Sequence, residues 1–417
     1  MPKKALYARL FYIIIGNPPW VNNSTLSSLA SDNLPEKKNF KGAKGLDALT
    51  GESNFDICEY IILQLIHTFK GTDTTIAMLC KTSVARNIFK ELKREATSFL
   101  YCDIITFDAS RVFGISASAC LLLIKLSSTD VFPSTCNLYS LDTPKTIYST
   151  MGFRNSQFYS DLTFNADNFD GICCFEWRQG VKHDCSKVME LSSDGNSLKN
   201  GQGETVSIED DVIFPLIKSS MFKAPIITVF TKYVIVTQKR VREETLHIQQ
   251  DFPKAWTYLN NNIIYFNKRK SSIYRNSPVF SMFGIGDYSY SKYKVGVSGF
   301  YKKPMFSVLS SPDGKPVMTD DTSYFICFDS YDMAYVAMLI LNSERVQKFL
   351  KSIVFLDSKR PYTKKVLSRL DFSKICKVLT YSDLKSTEYT LDLSDYLTPE
   401  MFDSFIDIPQ IQQQRII

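Results

Sequence analysis

The chain has 417 residues, 44% of them hydrophobic and 13% aromatic, enough apolar mass for two domains with cores of their own. Its 49 basic and 43 acidic residues leave a net charge of only +6, so affinity for a polyanion must come from local clusters rather than overall charge. No internal repeat, low-complexity tract or apolar run of membrane-spanning length occurs, which excludes repeat arrays, disordered tracts and transmembrane helices.

Met1 to Arg9 is short and basic, with neither the length nor the cleavage pattern of a secretory signal. Phe11-Tyr12-Ile13-Ile14-Ile15-Gly16 then reads as a buried strand, and it runs directly into Asn17-Pro18-Pro19-Trp20. Two consecutive prolines have no backbone N–H, and Asn17, preceding proline, is pushed toward an extended conformation. What remains is a turn of acceptors. The Asn17 side-chain oxygen and the Pro18 carbonyl can converge on one point, with the flat Trp20 ring beside it. That arrangement suits an exocyclic amino group on a planar base. Accepting both N–H bonds of adenine N6 leaves its lone pair free to attack a sulfonium methyl group once the base is extruded from the duplex.

Asn17 to Trp20 resembles, at every position, the Asp/Asn-Pro-Pro-aromatic motif of the amino-methylating DNA methyltransferases. Further segments follow in the order of that family. Asn54-Phe55-Asp56-Ile57-Cys58-Glu59-Tyr60, leading into Ile61 to Ile66, resembles its fifth motif, at the start of a helix. Asp56 is thereby a candidate on the border of the cofactor pocket, although an acidic first turn equally favours the helix dipole. Gly71 ends that helix, and Thr74 to Cys80 is the next strand. A helix is expected over Val84 to Leu100, then strands at Ile104 to Asp108 and Cys120 to Lys125. This alternation predicts an α/β fold with a doubly wound sheet. Between the last two strands, Val112-Phe113-Gly114 resembles the eighth motif, where Phe113 would stack on the flipped base opposite Trp20.

The resemblance implies S-adenosylmethionine as methyl donor and adenine N6 as target. In the family's motif order, however, a glycine-containing cofactor loop and an acidic ribose-binding residue lie upstream of the Asn-Pro-Pro strand, and only sixteen residues precede Asn17. The expectation is a partial methyltransferase-like sheet with an incomplete cofactor pocket, an open edge on its first strand, and a second polypeptide supplying the missing half. A degraded remnant is the other explanation. On this reading residues 1–145 are the carboxyl-terminal part of a catalytic domain, and residues 146–417 an irregular α+β target-recognition domain.

That second part carries the basic clusters expected to contact double-stranded DNA. Trp177 to Cys185 resembles an Arg-Gln-Gly segment near the start of recognition regions in larger restriction-modification methyltransferases. Gly180 would admit close backbone approach to phosphate, between Arg178 and Lys182. Further clusters are Arg240 and Arg242, Lys268 and Arg269, and Lys359 to Lys365, where Lys359, Arg360, Lys364 and Lys365 are interleaved with Tyr362. The ten cysteines are scattered and several fall in apolar strands, as free thiols of a cytoplasmic protein would. Cys173-Cys174 with His183 and Cys185 fits no zinc spacing, so no metal is expected. Three functional classes remain open: an adenine-N6 DNA methyltransferase, a DNA-recognition subunit with a vestigial catalytic half, and a methyltransferase of another amino group.

Overall fold

The computed structural model describes residues 12–21, 56–115 and 118–414, with side chains described as far as residue 408. Met1 to Phe11, Asn54, Phe55 and Ser116, which the motifs above include, lie outside the described residues. The chain divides into two compact units, Met1–Phe164 and Asn165–Ile417. The division falls beyond residue 145 because a strand, Thr143–Arg154, runs across that position.

The first unit is a seven-stranded sheet, ordered β1-β2-β4-β3-β5-β6-β7. Its strands are β1 Ile13–Gly16, β2 Thr75–Lys81, β3 Phe99–Asp108, β4 Ser118–Leu126, β5 Thr135–Ser140, β6 Thr143–Arg154 and β7 Gln157–Tyr159. β1 lies parallel to β2, with Gly16 opposite Met78, whereas β4 is antiparallel to both β2 and β3. Along β2 the buried residues Ile76, Met78 and Cys80 alternate with half-buried neighbours, so one face of the sheet is covered. Two helices cover it, α1 (Ile57–Thr68) and α2 (Thr82–Arg94), and both reach the Cys80 side of the sheet. The Phe89 ring of α2 meets Phe99, Phe153 and Phe158, tying β3, β6 and β7 to the same core.

Neither α1 nor α2 covers the other face, where Ile13 is 72% and Ile15 78% exposed. After α2 the only helix of this unit among the described residues is the single turn α3 (Ala109–Phe113), and most later strands run antiparallel to a neighbour, which needs no crossover helix. α2 also stops at Arg94 rather than Leu100, because Ala96 adopts a positive φ of 45° and Phe99 already begins β3.

The second unit holds two five-stranded sheets. In one the order is β10-β9-β13-β11-β16: β10 Leu198–Lys199, β9 Glu190–Ser193, β13 Lys232–Ile235, β11 Ile213–Ile217 and β16 Met318–Thr319. In the other it is β12-β15-β14-β17-β8: β12 Ile226–Ile227, β15 Ser307–Leu309, β14 Tyr293–Ser298, β17 Ser323–Phe328 and β8 Arg178–Gln179. The helix Tyr331–Asn342 buries every residue from Ala334 to Leu341, as a helix apolar all round must. Among the described residues no helix is long and apolar enough to cross a membrane.

Candidate functional site

The Asn17-Pro18-Pro19-Trp20 turn leaves the carboxyl end of β1, next to the same end of its parallel partner β2. Two hydrogen bonds fix it there. The Trp20 indole Nε1 donates to the Leu79 carbonyl at 3.2 Å, and the Ile57 N–H donates to the Val21 carbonyl at 3.1 Å, binding the far side of the turn to the start of α1. Asn17 itself is exposed, and neither its side chain nor the Pro18 carbonyl takes a hydrogen bond from a described residue. The turn is thus rigid in position while its two acceptors are idle. Such an arrangement can hold an amino group without rearranging first.

Asp56 is placed beside this turn, but its carboxylate is occupied. One oxygen caps α1 by accepting the Cys58 N–H at 3.0 Å, and the other pairs with Lys81 Nζ at 2.8 Å. Both contacts brace the ends of α1 and β2, and the carboxylate is buried. Phe113 does approach Trp20, yet edge to face: the ring centroids are 6.4 Å apart and the planes cross at 87°. Two rings at right angles offer no slot between parallel faces, so a base stacked on both would require Phe113 to turn. Phe113 ends α3 just before Gly114, whose φ of +68° closes the helix in a left-handed conformation, and the Phe113 side chain is 46% exposed.

In the second unit the predicted cations separate into three groups. Some serve the fold. Arg269 donates to the carbonyls of Ser281 at 2.8 Å, Val279 and His183, with its guanidinium 3.9 Å from the Tyr274 ring centroid. Tyr362 is only 2% exposed and donates to the Lys302 carbonyl at 3.2 Å, so it is a core residue rather than a DNA contact. Gly180 is buried too. A Cβ there would come within 2.2 Å of the Thr319 and Asp320 carbonyl oxygens, so this glycine admits the chain's own backbone, not a phosphate.

Others are held in surface pairs: Arg178 with Glu176 and over the Tyr288 ring, Lys364 with Glu176, Arg240 with Asp287, Lys182 with Asp184 at 3.0 Å, and Arg360 over the Phe300 ring. Such pairs are weak and exchange readily for phosphate. The third group, Arg242, Lys268, Lys359 and Lys365, is exposed and makes no ion pair with a described residue.

Lys182, Lys268 and Arg269 come together on one open cleft of about 910 Å³. The same cleft exposes Lys218, Glu190 and Asp321, which no local pattern marks, and His183. Only pairing β8 with β17 and β11 with β16 brings those segments to one place. Within it Glu190 accepts Lys218 Nζ on both oxygens, at 3.0 and 2.8 Å, and its carboxylate lies 3.6 Å from His183 Nε2. The other ring nitrogen, Nδ1, accepts the Cys185 N–H at 3.1 Å, which leaves the hydrogen on Nε2. Burial, with the Lys218 charge second, pushes this imidazole down to about 4, so it is neutral at physiological pH.

The fold that carries these two sites has a counterpart among restriction-modification enzymes. The structure is similar, at a TM-score of 0.51 and 11% identity, to the Type IIL restriction-modification enzyme MmeI solved in complex with DNA, over 97% of this chain and 57% of that one. It also resembles a nuclease-deletion mutant of the Type ISP enzyme LlaGI, solved with a DNA substrate mimic, at 0.46 and 12% identity over 93% of this chain and 42% of that one. The chain spans little more than half the length of MmeI. No protein-family model matches. In sequence, the Type II methyltransferase M.NspV of Nostoc sp. (strain ATCC 29411 / PCC 7524) is 38% identical over 373 residues, 88% of this chain and 77% of that protein. The chain belongs to the type II methyltransferases.

Proposed function

We propose that this protein methylates an exocyclic amino group of a base in double-stranded DNA, adenine N6, as the modification activity of a restriction-modification system. The observation that carries the reading is the turn after β1, fixed at Trp20 and Val21 while the Asn17 amide and the Pro18 carbonyl stand idle. These two acceptors take the two N–H bonds of the amino group and turn its lone pair outward, and Trp20 offers a face to the extruded ring. The basic patches of the second unit hold the duplex, in keeping with the DNA bound by MmeI in its solved complex.

S-adenosylmethionine is the methyl donor that the family implies, and the described residues fit it only in part. The Asp56 carboxylate is buried in contacts to the start of α1 and to Lys81, and β1 forms the edge of the described sheet, with Ile13 and Ile15 bare on its uncovered face. The proposal therefore gives donor binding to a cofactor-binding half that adds a parallel strand to the open side of β1. The same two observations favour a second reading, a sequence-recognition subunit without catalytic activity.

The test is direct. Together with that cofactor-binding half, the protein should bind duplex DNA with an affinity that falls steeply with salt and yield N6-methyladenine. N4-methylcytosine among the digested nucleosides would overturn the choice of adenine. Duplex binding without transfer in every combination would leave the recognition subunit standing, and no duplex binding at all would overturn both readings.

A further inference from the structure

The cleft of the second unit has a volume of about 910 Å³, and its chemistry is not that of a simple phosphate patch. A site that only neutralises a polyanion needs cations, yet this one also presents carboxylates. The two aspartates that join β16 to β17 differ sharply. Asp320 is a turn residue: its Oδ1 accepts from the Thr322 N–H at 3.2 Å, the Thr322 hydroxyl at 2.6 Å and the Ser323 hydroxyl at 2.9 Å. Asp321 has the opposite arrangement. Its backbone carbonyl is held by Gln179 and by Arg360 at 3.2 Å, whereas its carboxylate makes only long contacts, 3.9 Å to Lys182 and 3.9 Å to Arg360.

A fixed backbone carrying an underused carboxylate, with an ammonium group beside it, is a matched acceptor and donor. In the major groove, cytosine presents an amino donor at N4 and guanine presents acceptors at O6 and N7. Lys268 and Lys270 are exposed at the border of the same cleft and make no ion pair with a described residue, as phosphate-contacting groups would.

We propose that Asp321 and Lys182 are specificity-determining residues, Asp321 accepting from a cytosine amino group and Lys182 donating to a guanine edge, while Lys268 and Lys270 hold the neighbouring phosphates. This rests on the reading of the chain as a DNA-binding methyltransferase. Discrimination follows from desolvation. With the duplex seated, a base that lacks the amino donor leaves the Asp321 carboxylate dehydrated and without its partner.

The experiment is selection of preferred sequences from a randomised duplex pool by the full chain and by Asp321→Ala, Lys182→Met and Lys270→Ala, with Kd then measured on single-position variants of the selected site. Asp321→Ala removes the acceptor while leaving the Asp320 turn and the Asp321 backbone carbonyl contacts intact, and Lys182→Met provides an independent variant should the first fold poorly. The expected result is that each of these two relaxes the preference at its own base pair by roughly 5- to 100-fold while other positions keep theirs. Lys270→Ala should instead weaken all sequences alike and reduce the salt dependence by about one ion. The assignment is overturned if Asp321→Ala and Lys182→Met leave the preferred sequence unchanged, or lower affinity for all sequences equally. Absence of duplex binding by the wild type would overturn the underlying DNA-binding reading as well, a result distinct from either of those.

Discussion

Replacing Asn17 by alanine separates chemistry from folding more cleanly than any other substitution in this chain. The side chain is exposed and takes no hydrogen bond from a described residue, and both prolines of the turn remain, so stability should change by less than about 0.5 kcal/mol. The reaction is another matter. As the amino nitrogen takes up the methyl group it gains positive charge, its N–H bonds become stronger donors, and an acceptor held in place gains in the transition state what it lacked in the ground state. Removing one such preorganised partner is worth about 2.7–4 kcal/mol, or roughly a hundred- to a thousandfold in kcat. The ground-state hydrogen bond contributes only about 1 kcal/mol, so KM for the duplex should move less than about tenfold. Single-turnover transfer of labelled methyl groups, measured with the cofactor-binding half present and beside duplex Kd and melting temperature, reads all three quantities. Asn17→Asp retains an acceptor and should recover part of the lost rate. A kcat within about threefold of wild type would refute the assignment, whose expected loss is nearly a hundredfold at the least. Equal losses of affinity, melting temperature and rate would make the turn a folding element instead.

The uncovered face of β1 gives a second expectation: fully burying an isoleucine is worth about 1.5–3 kcal/mol, so covering Ile13 and Ile15, both about three-quarters exposed, contributes about 2–4 kcal/mol to docking of an element of the cofactor-binding half on that face. Ile13→Lys with Ile15→Lys should leave melting of the chain unchanged, raise its solubility and weaken reconstitution of activity; unchanged reconstitution would remove this face of β1 as a docking surface. Trp20→Ala and Phe113→Ala should each weaken holding of the extruded base by about 1–3 kcal/mol, read as reduced fluorescence of 2-aminopurine at the target position, and an effect of Trp20 alone would confine stacking to one face. Lys294 is buried and donates to the carbonyls of Ser289, Ser291 and Val317 at 2.9, 2.8 and 2.9 Å, so Lys294→Met, which strands three acceptors, should destabilise the second unit by about 3–5 kcal/mol in denaturant titration. His183 has its pKa lowered to about 4 against an ordinary 6.5, so the unfolded chain takes up a proton that the folded ring refuses. The stability this residue contributes is complete above pH 6.5 and declines as the pH falls toward 4, and His183→Asn should remove that part of the slope.

What could be read from the sequence, and what could not, follows from how far each feature reaches along the chain. The acceptor turn was legible because its chemistry lies in adjacent residues: two prolines strip the donors, Asn17 supplies the oxygen, and the preceding isoleucines supply the strand. The same locality misled at Tyr362 and Gly180. A tyrosine among lysines reads equally well as a stacking platform or as core, and only its burial beneath the Lys302 carbonyl decides. Gly180 does permit close approach, but the group that approaches is the Thr319–Asp320 backbone, brought from far along the chain. The alternation of strand and helix up to β3 is likewise local, whereas the antiparallel return of the later strands rests on pairings between distant segments. The cleft is the extreme case. Lys182, Glu190, Lys218, Lys268 and Asp321 share no spacing, and each becomes a neighbour of the others only after two sheets have formed. A methyl-transfer turn has to place two acceptors on one nitrogen, which adjacent residues do most rigidly. A surface that reads several base pairs has to span more than one segment can reach, so its residues are drawn from loops throughout the unit, and a change of sequence specificity can be made there without touching the turn.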